Sequence, residues 1–220
     1  MMSSEMELEL RLVELLCSRL CHDLVSPIGA IHNGLELLEQ NEPEMEKEIL
    51  SLLSKSSAEA SCRLRFFRVA FGQASGSMET LPLEEGKGLL DGLLKEGRVT
   101  LDWQVSEIAS SVSVPKGIVK LLLNMALIAS EALPRGGALS VVSICHADKS
   151  IFEVTARGED VVLKNEVVSA LRSDLPYEKL TPRLAPAYFL ALLVHRYGFS
   201  LAVLQNSESV TLRVTTACKR

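Results

Sequence analysis

The sequence predicts an α + α/β chain in two parts. An N-terminal antiparallel helical hairpin forms a four-helix bundle on dimerisation, and an α/β sandwich follows it. Three observations predict this. Apolar residues recur at steps of three and four through two long segments on either side of Asn41-Glu42-Pro43, a turn signal. The small, polar stretch Gly72-Gln73-Ala74-Ser75-Gly76-Ser77 then breaks the pattern as a linker does. Beyond it, short helices alternate with paired strands. The bounds read from these signals are 1–73 for the hairpin, 74–80 for the linker and 81–220 for the sandwich.

The first helix runs from about residue 5 to residue 40. Leu8, Leu12, Leu15 and Leu16 begin its apolar side, and Leu20, Leu24, Ile28, Ile31, Leu35 and Leu38 continue it. A helix turns about 100° per residue, so His22, two residues from both Leu20 and Leu24, points away from that stripe. Its own face carries Ser18, Arg19, Val25, Ser26, Gly29 and Asn33, mostly small or polar, which leaves the imidazole open to close approach. Pro27 lies inside the apolar pattern, where proline costs about 3 kcal/mol unless something compensates.

The second helix runs from about 44 to 71, marked by Met45, Ile49, Leu52, Leu53, Leu64 and Phe67. Its middle, Ser54 to Cys62, is rich in Ser and Ala and permits close helix approach. Two helices cannot cover so wide an apolar stripe, so a homodimer is expected. Counting from the turn puts His22 level with Cys62, Arg63 and Arg65 near it, and Arg68 one turn beyond. These arginines read equally well as a solvated basic helix end or as a dock for an acidic partner.

In the sandwich, residues 83–95 can form a helix and 98–105 alternate as a strand. Residues 116–133 are strongly apolar and helical, with Pro115 at a first-turn position. Pro134-Arg135-Gly136-Gly137 is a turn. Residues 138–146 and 151–157 form a strand hairpin, 163–171 a short helix, and 186–197 another helix stopped by Gly198. Residues 199–204 and 209–215 make a last hairpin.

Composition narrows the function classes. A formal charge of −5 leaves no broad basic surface for nucleic acid. No apolar run reaches the length of a membrane span, so no membrane association is expected. Met1 to Glu9 is polar and acidic, unlike a signal peptide, so a cytoplasmic protein is expected. Five cysteines at irregular spacing suit reduced thiols. Cys17 and Cys21 share a helix face that His22 does not, and no Cys-x-x-Cys pair exists, so no metal site is expected.

The run His22-Asp23-Leu24-x-Ser26-Pro27-Ile28 resembles the H-box of sensor histidine kinases: His, acid, Leu, any residue, Ser or Thr, Pro, aliphatic. The element order that follows resembles their Bergerat, or GHKL, ATP-binding domain. Leu122-Leu123-Asn124-Met125-Ala126-Leu127-Ile128 is similar to the N-box, whose two asparagines lie four apart. Asn124 matches the first, but Ile128 replaces the second, which helps hold magnesium in the family. Ala156-Arg157-Gly158-Glu159-Asp160 stands where the family has Asp-x-Gly-x-Gly. Ala156 replaces the adenine-binding aspartate, and Gly158 alone survives. Thr181-Pro182-Arg183-Leu184-Ala185-Pro186-Ala187 stands where a glycine-rich lid would approach phosphates. The resemblance therefore implies a degenerate nucleotide fold with no bound cofactor.

A histidine hairpin on such a domain is the layout of ChpT-type histidine phosphotransferases, and of the sporulation phosphotransferase. Cys17 to Pro27, Phe66 to Gly72 and Glu131-Ala132-Leu133-Pro134-Arg135-Gly136-Gly137 look like signatures of the ChpT type. The resemblance implies an alphaproteobacterial phosphorelay in cell-cycle control. There the receiver domain of a hybrid histidine kinase donates a phosphoryl group to His22, which passes it to receivers of response regulators. Magnesium then comes with the partner receiver. Asp23 is a candidate orienting acid, or else an ordinary exposed helix acid. Arg19, Val25, Ser26, Gly29, Arg63 and Arg65 are the candidate docking residues. The competing readings are an active histidine kinase that phosphorylates itself from ATP and a non-catalytic receiver-binding scaffold.

Overall fold

The computed structural model describes residues 4–40, 45–72, 81–95, 97–105, 115–145 and 149–217. The turn at 41–43, the linker and the turn at 147–148 lie outside the described residues. Helices α1 (Ser4–Glu39) and α2 (Glu46–Ala70) form the hairpin. Contacts between Gly34 and Leu53 and between Asp23 and Arg63 run in opposite senses along the two helices, so they are antiparallel. This agrees with the register counted from the turn.

The apolar stripe of α1 divides in two. Leu24, Pro27 and Gly34 are buried, and Ile31 and Leu38 half-buried, whereas Ile28 and Leu35 stay half-exposed. Gly34 lets the helices close up, since a Cβ there would stand 2.8 Å from Leu53 Cδ2. On α2, Ser56, Ala60 and Ala70 are buried small residues. The outer face keeps Val13, Ile28 and Leu35 on α1 and Leu50 and Leu64 on α2 exposed.

The rest is a two-layer α/β domain. Its strands are β1 (Val99–Gln104), β2 (Gly137–Cys145), β3 (Lys149–Arg157), β4 (Ser200–Gln205) and β5 (Ser209–Ala217). They lie in the order β1-β2-β3-β5-β4, with β1 parallel to β2 and the remaining pairs antiparallel. Its helices are α3 (Leu83–Leu94), α4 (Ile118–Ser130), α5 (Asn165–Leu171) and α6 (Ala185–Tyr197). Alternate strand residues Leu139, Val141, Phe152, Val154, Leu212 and Val214 are fully buried. The opposite face carries polar cross-strand pairs: Arg213 Nε donates to Glu153 Oε1 at 2.6 Å, and the Thr155 and Thr211 hydroxyls lie 2.9 Å apart. The α4 helix is shorter than its apolar run. Gly117 sits at φ 76° before its first residue, leaving Pro115 outside the helix, and Ala132 and Leu133 close in tight turns after it.

One core spans hairpin and sandwich. Leu12 of α1 and Phe66, Phe67, Val69 and Ala70 of α2 belong to the same buried cluster as α4 and α6. Phe67 stacks on Phe71, whose ring meets Phe189 of α6 edge-on at 6.0 Å. The end of α2 is tied down by α4. Asn124 Nδ2 donates to the Ala70 carbonyl at 2.9 Å, and Lys120 Nζ donates to the Gly72 carbonyl. Burial, with the nearby Arg196 charge, lowers the Lys120 pKa. Asn124→Ala leaves the Ala70 carbonyl without its side-chain donor. It should destabilise the fold by about 1–3 kcal/mol, read as a lower urea midpoint.

Candidate functional site

His22 stands on α1 with 85% of its side chain exposed. Its Nδ1 lies 3.1 Å from Asp23 Oδ1, so with the proton on Nδ1 it donates to Asp23 and leaves the Nε2 lone pair facing outward. Asp23 is far from an ordinary exposed acid, with only 15% of its side chain accessible. Arg19 Nε donates to its Oδ2 at 2.7 Å, and Arg19 Nη2 donates to Glu131 Oε1 at 2.6 Å. Burial works against charge on Arg19. The Glu131 and Asp23 carboxylates outweigh it and hold the guanidinium above its usual pKa.

The backbone of Asp23 is held as well. Proline has no N–H, so Pro27 cannot donate to the carbonyl four residues earlier, which is that of Asp23. Arg63 Nη1 of α2 donates to that oxygen at 2.6 Å, while its Nη2 donates to Glu59 Oε1 at 2.6 Å. The arginine supplies the bond that the helix lost.

The candidate docking residues separate into two groups. Val25 is 68% exposed, Ser26 is exposed, and a Cβ on Gly29 would meet nothing within 4 Å. All three lie beside His22 on its open face. Arg65 is also exposed, with Nη2 3.4 Å from Cys62 Sγ. Arg19 and Arg63 differ from expectation. Both turn into the protein, Arg19 because Glu131 comes against it from α4, and Arg63 because of the orphan carbonyl.

Sequence reasoning did not mark Glu131, Thr181, Pro182 or Arg183 as site residues. With Ser18, Arg19, His22 and Asp23 they line a cleft of about 500 Å³ between α1 and the sandwich. Nothing local in the sequence pairs Arg19 with Glu131, which lies 112 residues away. The proline rule, by contrast, flags the Asp23 carbonyl in advance.

The degenerate boxes are used for packing. Asn124 faces the end of α2, and Ala156 is fully buried in β3. Gly158 allows backbone contact, since a Cβ there would lie 2.6 Å from the Gly136 carbonyl oxygen. Between Ile128, Glu131, Val162, Val167, Arg183 and Pro186 remains a slot of about 110 Å³. Small-molecule sites run to roughly 300–1,000 Å³. Its lining is mostly aliphatic, with Glu131, Lys164 and Arg183 as its charged members. Among the described residues, no three His, Cys, Asp or Glu side chains cluster as a metal site would.

An exposed histidine on a helical hairpin, packed against a kinase-type α/β domain, defines the class of histidine phosphotransfer proteins. The comparisons place the chain within it. Residues 83–209 match the family model of the histidine phosphotransferase C-terminal domain. The chain is 32% identical to the protein phosphotransferase ChpT of Brucella abortus (strain 2308), over 89% of this chain and 91% of that protein. A solved structure of a bacterial phosphotransferase superposes with a TM-score of 0.80 at 31% identity, over 97% of this chain and 98% of that one. The histidine kinase ThkA, solved in complex with the response regulator protein TrrA, shares the fold at a TM-score of 0.52 and 15% identity. That match covers 98% of this chain and 65% of ThkA. The chain belongs to the ChpT-like histidine phosphotransferase family: it is a phosphotransferase that acts in a phosphorelay, built on a histidine kinase-like fold.

Proposed function

We propose that His22 is the phosphoacceptor, relaying phosphoryl groups from the receiver aspartate of a hybrid histidine kinase to receivers of response regulators in cell-cycle control. The observation that supports this is the imidazole itself: Nδ1 is held by Asp23 and Nε2 is open on an exposed helix. The Nε2 lone pair attacks the phosphorus of an aspartyl phosphate. The N–P bond forms as the acyl P–O bond breaks, and the electron pair leaves with the donor carboxylate. A second receiver's aspartate then attacks the phosphohistidine, and the N–P pair returns to the ring. The protein's work is mostly positioning. Magnesium belongs to the receiver, and this chain binds no cofactor of its own.

The exposed face of Val25, Ser26 and Gly29 is the docking surface in this reading, with Arg65 at the same level on α2. The half-exposed Val13, Ile28, Leu35, Leu50 and Leu64 form the face on which a second hairpin completes a four-helix bundle. No described helix is long and apolar enough to cross a membrane, and we place the protein in the cytoplasm. The domains we assign are a hairpin to residue 73, a linker to 80 and a sandwich to 220.

The deciding experiment supplies a labelled phospho-receiver, or labelled ATP, to the pure protein. Label is expected from the receiver and not from ATP. Label from ATP alone would make it a kinase, and label from neither a scaffold. His22→Ala should lose acceptance completely. Gly29→Glu should slow receiver transfer on the order of 100-fold, because displacement by about 1 Å has that effect on positioned reactants. Its melting temperature should hold, as the added side chain enters open space. Calorimetry with ATP and magnesium should show no binding above background, and a micromolar constant would overturn that expectation. Light scattering should report a dimer at micromolar concentration, and a stable monomer would remove the bundle.

A further inference from the structure

We propose that Glu131, at the C-terminal end of α4, is a positioning residue for phosphotransfer: it fixes Arg19, Arg19 fixes the Asp23 carboxylate, and Asp23 fixes the proton on His22 Nδ1. The inference rests on His22 being the phosphoacceptor. The chain of contacts is unbroken, at 2.6 Å from Glu131 to Arg19, 2.7 Å from Arg19 to Asp23 and 3.1 Å from Asp23 to the ring. It gives the sandwich a direct part in the chemistry on α1.

The role of Glu131 follows from the geometry of a guanidinium. Arginine presents a flat fork of donors and takes both oxygens of a carboxylate when it can. Here Glu131 occupies Nη2, so Arg19 offers Asp23 only Nε, and only Oδ2 is engaged. Oδ1 stays free for the imidazole. Without Glu131, the Arg19 fork turns to both Asp23 oxygens, Oδ1 is shared between Arg19 and the ring, and its bond to the Nδ1–H weakens. A neutral imidazole then carries its proton on either nitrogen, and the tautomer with Nε2–H has no lone pair there to attack. When Nε2 does attack, the ring gains positive charge and its proton remains on Nδ1, facing the Asp23 carboxylate. The Arg19 guanidinium, held by Glu131, also suits its place, since the C-terminal end of a helix such as α4 carries partial negative charge.

The test uses phosphoramidate, which phosphorylates histidine with no receiver present: the N–P bond to the ring forms, the donor P–N bond breaks and ammonia leaves. Glu131→Gln and Arg19→Lys remove the charge and the fork in turn. Each should slow labelling of His22 from phosphoramidate on the order of tenfold, the scale on which losing an outer partner of a functional histidine acts. Nitrogen-15 NMR of the imidazole should show loss of the Nδ1–H tautomer in both. Normal phosphoramidate labelling with slowed transfer from a receiver would mean that these residues serve docking, and would overturn the proposal. Slowed labelling with an unchanged tautomer would overturn it too. If Glu131→Gln does not fold, Arg19→Lys carries the same readouts. The underlying assignment fails separately, if His22→Ala still takes label from phosphoramidate.

Discussion

A missing hydrogen on the backbone nitrogen of Pro27 shapes the site. The Asp23 carbonyl lacks the donor that the residue four on would supply, and an unpaired buried carbonyl costs about 1–3 kcal/mol. Arg63 reaches across from α2 and fills the vacancy at 2.6 Å. That bond joins the two helices at the level of His22 and fixes the backbone of the residue that holds its ring. The proline thus ties α1 to α2 where the functional histidine stands. Its neighbours add to the closeness: Pro27 is itself buried against α2, and Gly34, two turns on, lets Leu53 in.

Asp23 is where both halves of the chain meet. Its carbonyl is held by the hairpin through Arg63, and its carboxylate by the sandwich through Arg19 and Glu131. Arg19 is mostly buried between two carboxylates, an arrangement in which removing one partner costs far more than a surface ion pair contributes. Glu131 borders the slot beside Ile128 and Val167, and it also lines the cleft beside His22.

Much of the fold was legible because its signals are local. The three-and-four period of α1 and α2, the turns at Pro134 to Gly137 and Gly198, and the alternation of the strands all act within a few residues. Helix ends moved where backbone geometry decided, as at Gly117. The exposed lane of Val25, Ser26 and Gly29 also followed from helical rotation alone. The inward turn of Arg19 did not, because rotation places a side chain's root and not its long flexible end. That end went to Glu131, a contact made only by tertiary folding. Arg63 lies between these cases: its height came from the register, and the reason it turns inward lay in the sequence, in Pro27.

The shared core bears on which chemistry suits the molecule. An enzyme that phosphorylates its own histidine from a nucleotide must bring the phosphoryl group from the sandwich to the hairpin. Here Phe66 and Phe67 of α2 are buried among residues of the sandwich, Phe71 packs against α6, and Asn124 and Lys120 hold the end of α2. Burying one large apolar side chain contributes about 1.5–3 kcal/mol, so two rings and their hydrogen bonds make separation of the halves costly. A protein that receives its phosphoryl group from outside needs no such movement. For it, a fixed sandwich is an advantage, because the Glu131–Arg19–Asp23 contacts stay in place only while the sandwich stays against the hairpin. Rigid docking then has a physical role in this reading: the sandwich does not have to travel, and it serves by standing still.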